Sequence, residues 1–144
     1  MRYSNTSDHD FVLIFNAGDE FKEQLFEFAT NDDVASSWFF AIGAFERATV
    51  AYFNLETNSY EEIEITEQVE VVSLIGNLAM HDGERRFHAY VVVTKRDGSS
   101  HGGHLVDAVV RPTLELFMTT FDTPLLRRKD AATGLPLIVL DVTE

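Results

Sequence analysis

Four of the five histidines in this chain, His81, His88, His101 and His104, lie between positions 81 and 104; only His9 stands apart. His88 and Tyr90 are two positions apart in a run that reads as a strand. Both side chains therefore project from one face. His101 and His104 flank Gly102-Gly103, where the backbone is free to bend tightly. If the turn over 95–100 folds the chain back, His104 approaches the strand that carries His88. Imidazoles that converge without cysteine are natural ligands for zinc, iron or nickel. The same spacing is met by histidines in turns and on surfaces, and no H-E-x-x-H pattern decides the matter.

Glu115 is a second candidate, and the one that could act as a catalytic group. Thr113, Glu115 and Phe117 share one face of a predicted strand, and Leu114, Leu116 and Met118 share the other. A buried Glu115 would need a hydrogen-bonding or cationic partner, and desolvation would raise its pKa. It could then serve as a general base or orient a histidine. A satisfied structural carboxylate or a solvated strand face is the simpler expectation. The basic clusters Arg85-Arg86 and Arg127-Arg128-Lys129 read mainly as solvated loop charge, with anion binding as the functional option. The glutamates between Glu56 and Glu70 lack the D-x-D-x-D-G spacing of a calcium loop and read as a solvated hairpin face.

Composition bounds what these residues can do. The chain has 144 residues, no cysteine, 11 Lys+Arg and 24 Asp+Glu, so its formal charge is 11 − 24 = −13. A disulfide framework, a cysteine nucleophile and a thiolate metal site are all excluded. An apolar content of 45% is too high for a disordered acidic chain. The acidic balance also disfavours nucleic acid, whose phosphates need clustered Lys/Arg. No apolar run approaches the roughly 18 residues of a membrane span. The first residues, MRYSNTSDHDF, contain no secretory h-region, and the last four, Asp141 to Glu144, contain no lipidation signal. The expected location is cytoplasmic.

The elements that must position the histidines follow from periodicity. Phe11 to Phe15 is a short apolar run, expected to be a buried strand. Gly18-Asp19 opens a helix with Phe21, Leu25, Phe28 and Ala29 on one face. Asp19 is its expected cap, and Asn31-Asp32-Asp33 its end. Strands are expected over Ser36 to Ile42, Phe45 to Phe53, Tyr60 to Ile65, Val69 to Ala79, Phe87 to Thr94, Arg111 to Thr120 and Leu137 to Val142. Gly43 suggests a bulge or a close backbone approach. Ile63 and Ile65 against Glu62 and Glu64 suggest a half-buried hairpin. Turns fall at 54–59, 81–84 and 96–99, and Gly102-Gly103 is expected to break the chain again. One helix among many closely connected strands predicts an α+β fold with an antiparallel-rich sheet, in one domain spanning 1–144.

The stretch from His88 through Asp97-Gly98 to Gly102-Gly103-His104-Leu105 resembles the core motif of the plants-and-prokaryotes-conserved (PPC) domain. That motif runs His-x-His on a strand, an Asp-Gly turn, Gly-Gly-His-Leu, then a strand bearing a glutamate. Gly43-Ala44, Ala51-Tyr52-Phe53, Gln68-Val69-Glu70-Val71 and Gly76-Asn77 agree with it, so the resemblance covers about residues 9 to 140. It is similar to the stand-alone prokaryotic type, without a DNA-binding AT-hook: no Arg-Gly-Arg-Pro is present.

The resemblance implies a homotrimer that binds zinc or another divalent transition metal, or a small ligand. His88 and His104 are the implied metal ligands, with Tyr90, Gly102 and Gly103 beside the ligand and a glutamate at Glu115. Tyr90 stands where the family has its second histidine, which weakens the metal site because a neutral phenol is a poor zinc ligand. His101, close to His104 in sequence, is the candidate substitute. Two other functions follow from the family: a DNA-binding regulator, and an association module without catalysis.

Overall fold

The computed structural model describes residues 1–140. Its strands are β1 (Arg2–Asn5), β2 (Asp10–Asn16), β3 (Ser37–Asn54), β4 (Ser59–Ile65), β5 (Val69–His81), β6 (Glu84–Thr94), β7 (Ser100–Thr120), β8 (Leu126–Lys129) and β9 (Pro136–Val139). One helix, α1 (Phe21–Asn31), lies between β2 and β3. All nine strands join one sheet. Every strand pair is antiparallel except a single parallel bridge, Met80 to Leu126. The expected α+β, antiparallel-rich architecture is what forms.

Helix α1 forms because Phe21, Leu25, Phe28 and Ala29 recur at helical spacing, and all four are buried. Phe21 packs on Phe15, Phe45 and Phe87, and Phe28 packs edge-on against Tyr3 and Phe11. The cap differs from expectation. Glu20 holds the N-cap position without a side-chain hydrogen bond. The Asp19 carboxylate instead accepts the Asn16 N–H at 2.8 Å and pairs with the terminal ammonium of Met1 at 2.9 Å.

The longest strands, β3 and β7, form the spine. They pair with each other, and β5 and β6 close a circuit of neighbours, since β6 pairs with both β5 and β7 and β5 pairs with β3. Alternation along these strands sends Phe39, Ala41, Leu74, Val91, Val93, Leu105, Leu114 and Leu116 into the core. The opposite face carries a row set by register: Val12, Phe117, Phe40, Ile75, Tyr90 and His104 lie side by side across five strands. Phe40, Ile75 and Tyr90 are 41%, 58% and 55% exposed, so this face is apolar and open.

Several boundaries move. Gly102-Gly103 does not break the chain: β7 runs unbroken through it. A Cβ on Gly102 would lie 2.7 Å from the Val91 carbonyl oxygen, and one on Gly103 2.8 Å from that of Ala51. These glycines serve close backbone approach within a strand rather than a bend. The β4 hairpin is more solvated than expected, because Ile65 is buried but Ile63 is 49% exposed. The last strand is β9, and residues 141 and 142 of the expected Leu137–Val142 strand lie outside the described residues, as does the C-terminal tetrapeptide. Strands β1 and β8 have no counterpart in the sequence reading.

At Gly43 the β3–β5 register shifts, as the lone glycine suggested. Its φ is +147°, and a Cβ there would meet the Thr113 carbonyl oxygen at 2.4 Å and the Leu114 Cα at 2.8 Å. Gly43→Ala is therefore expected to cost at least about 3 kcal/mol. Gly98→Ala, at φ +82° but facing open space, is expected to cost only about 1–2 kcal/mol. Chemical denaturation of both variants checks this ordering; equal losses would contradict it.

Candidate functional site

Period and register bring three of the sequence candidates together. His88 and Tyr90 are alternate residues of β6, and Tyr90 pairs with His104 on β7. All three side chains emerge on the face away from the core residues Ala89, Val91 and Leu105. The ring centres of His88 and His104 are 5.3 Å apart, and Tyr90 stands edge-on to both, at 5.5 Å and 5.7 Å. Tyr60, from β4, lies over His104 at 4.8 Å and contacts Phe53 at 5.0 Å. With Arg127 and Leu135 to Leu137, these side chains line a groove of about 410 Å³.

Two other candidates do not join. His101 pairs with Val93, whose side chain points into the core. The strand is regular from 101 to 104, so a separation of three residues places His101 and His104 on opposite faces. Closeness in sequence therefore does not make His101 a substitute ligand beside His104 within the subunit. Glu115 is eleven residues along β7 from His104, at most roughly 35 Å away if the strand were straight, with register shifts against β3 between them. It is exposed, on the outer face between Ile14 and Ile42. The burial that a general-base role required is absent.

Arg127 departs from the mainly solvated reading of the Arg127-Arg128-Lys129 cluster: it is only 7% exposed. The β8–β9 hairpin carries it over the groove. That hairpin is tied to the sheet by the Met80–Leu126 bridge, by Met80 N–H donating to the Leu125 carbonyl, and by Leu125 N–H donating to Ser36 Oγ. The His81 ring adds a 3.0 Å hydrogen bond to the Arg127 carbonyl. The guanidinium donates to Asn77 Oδ1 and to the Pro136 carbonyl, both at 2.7 Å. The apolar neighbours Leu125, Leu126, Leu135 and Leu137 were the available signal: a solvated basic loop seldom sits between such residues.

Burial sets the electrostatics of the groove. Desolvation lowers the pKa of His88, and the Arg127 charge lowers it further. Desolvation lowers His104 to about 4, with help from His88 and Lys22. Both imidazoles are therefore neutral at neutral pH, each with a free lone pair. Desolvation also lowers Arg127, and raises Tyr60 together with the charge of Tyr90. His104 Nδ1 is buried and has no hydrogen-bond partner.

The donor set can be tested against a metal. Two imidazoles bound to one tetrahedral zinc at about 2.0–2.1 Å hold their ring centres about 5 Å apart, close to the observed 5.3 Å. The orphaned His104 Nδ1 fits the same purpose. The shortfall is a third donor: among the described residues, no three His, Asp or Glu side chains converge. Tyr90 occupies that third position.

Known proteins place this geometry in context. A metal-containing protein of Archaeoglobus fulgidus is 30% identical and superposes with a TM-score of 0.86, over 97% of this chain and 99% of that one. A plant- and prokaryote-conserved (PPC) protein of Pyrococcus horikoshii is 25% identical, with a TM-score of 0.85 over 99% and 97% of the two chains. A Bacteroides thetaiotaomicron protein, provisionally named DNA-binding, shares the fold at 24% identity, with a TM-score of 0.90 over 95% and 96%. No curated protein matches the chain. The sequence profile of the Plants and Prokaryotes Conserved domain matches residues 2–122, well over half of the chain. The chain belongs to the Plants and Prokaryotes Conserved (PCC) domain family.

Proposed function

We propose that this protein is a homotrimer that binds a divalent transition metal, zinc by preference, or a small ligand in the groove of His88, His104 and Tyr90. The observation that carries the reading is the pair of neutral imidazoles 5.3 Å apart, one with a buried nitrogen lacking a partner. The metal content of the Archaeoglobus relative supports it. With no cysteine in the chain, nitrogen and oxygen must hold the ion. His88 and His104 would bind it, and Tyr90, a partner subunit or water would complete the shell. A bound ion would supply Lewis acidity and a lowered water pKa. Tyr60 and Tyr90 would limit water access, and Asn77 would hold Arg127 in place.

Self-association is supported by the open apolar face, and the threefold count by the family resemblance. Trp38, Phe40, Ile42, Ile75 and Phe117 are each at least 36% exposed on neighbouring strands. A contiguous patch of this kind marks an association surface. DNA binding draws on the name of the Bacteroides relative, and the net charge of −13 opposes it. Among the described residues, no helix is long and apolar enough to cross a membrane.

Elemental analysis of untagged protein, reconstituted with zinc and then dialysed, should find a substantial fraction of one ion per chain. His88→Ala and His104→Ala should each weaken uptake at least about tenfold. Less than about 0.1 ion per wild-type chain after reconstitution would overturn the metal reading.

Sedimentation should give a trimer, and Phe40→Asp with Phe117→Asp should give a folded monomer. A monomeric wild type at micromolar concentration would contradict the assembly.

The histidines also predict the pH response of the metal-free protein. His104 is depressed from 6.5 to about 4, so between those values the unfolded chain binds more protons than the folded one. Stability is then full above pH 6.5 and falls as the pH drops toward 4. Thermal melts should show this slope, and His104→Gln should reduce it. An unchanged slope in that variant would count against a buried neutral His104.

A further inference from the structure

The groove holds a positive charge that the described residues do not balance. Arg127 is more than nine-tenths buried. The Lys and Arg ion pairs of the described residues engage Arg47, Arg85, Arg86, Lys95 and Arg111, and none involves Arg127. A guanidinium has five N–H donors, and only two are used, toward a neutral amide oxygen and a neutral carbonyl. Its Nε is buried with no partner at all. Burying an ion without a counter-charge is costly, and buried charges are normally paired. The groove is also lined by the rings of Tyr60, Tyr90 and Phe53, by the aliphatic Leu137, and by Arg86, whose charge is paired with Glu84. A buried cation lining an aromatic cleft recognises a planar anion attached to an apolar group.

We infer that the groove takes a small organic carboxylate with an apolar or aromatic body, its carboxylate on Arg127 and its body between Tyr60 and Tyr90. This rests on the reading of the histidine groove as a ligand site and names the class of ligand. It also gives the β8–β9 hairpin a role as the segment that sets charge selectivity. The hairpin lies beyond residue 122, where the family match ends.

The test is a titration of the full chain by heteronuclear NMR, in EDTA-dialysed protein and again after zinc loading. The probes are phenylacetate, its neutral isostere phenylacetamide, and inorganic sulfate. Phenylacetate should bind at least about ten times more tightly than either comparison, shifting resonances of Tyr60, Tyr90 and His104. Arg127→Met should erase that preference, while Arg127→Lys should keep part of it. Equal binding of acid and amide to the wild type overturns the inference, and that result needs no variant to fold. Acid preference that survives in Arg127→Met also overturns it. A protein that takes up no zinc but prefers the acid loses the metal reading and keeps this one; zinc uptake without acid preference does the reverse.

Discussion

The hydrogen-bonded ladder that pairs Tyr90 with His104 brings His104 of β7 beside His88 and Tyr90 of β6. Because side chains alternate along a strand, this register places His88, Tyr90 and His104 on the outer face and Leu105 and Val91 in the core. A slip of one residue would bury the imidazoles and expose the leucine. The ladder itself depends on close packing at Gly102 and Gly103, where any Cβ would strike a neighbouring carbonyl oxygen. The same register extends through Ile75, Phe40 and Phe117, so the proposed ligand groove and the proposed association face are one continuous surface.

Desolvation then gives that surface its chemistry. It keeps both imidazoles unprotonated, which leaves lone pairs for a Lewis acid. The same burial leaves the Arg127 guanidinium short of a counter-charge, and its field works against protonation of His88. A bound anion would offset the Arg127 charge, and the two neutral imidazoles would keep lone pairs for a cation. Tyr90 fits this scheme as a neutral wall or an oxygen donor in a chain that contains no thiolate.

The sequence was most legible where local rules govern. The amphipathic spacing of Phe21 to Ala29 marked the helix, Gly43 marked the bulge, and the positions of His88, Tyr90 and His104 marked the site. It failed where tertiary contact overrides local preference. Gly102-Gly103 looks like a break, because the neighbouring carbonyls that demand glycine there belong to other strands. His101 is close to His104 in sequence, but the unbroken strand turns it to the other face. Glu115 has the alternation of a half-buried strand, but which face is buried depends on what covers it. Arg127 looked like one of three solvated cations. Its burial comes from Asn77, 50 residues earlier, and from a hairpin whose partner strand is only four residues long.

Zinc K-edge X-ray absorption of the zinc-loaded protein reads the proposed site at the metal itself. The first shell should be nitrogen and oxygen alone at about 2.0–2.1 Å, with imidazole scattering from two rings that disappears in the His88→Ala, His104→Ala double variant. A spectrum without imidazole scattering, or one unchanged in the double variant, would contradict it.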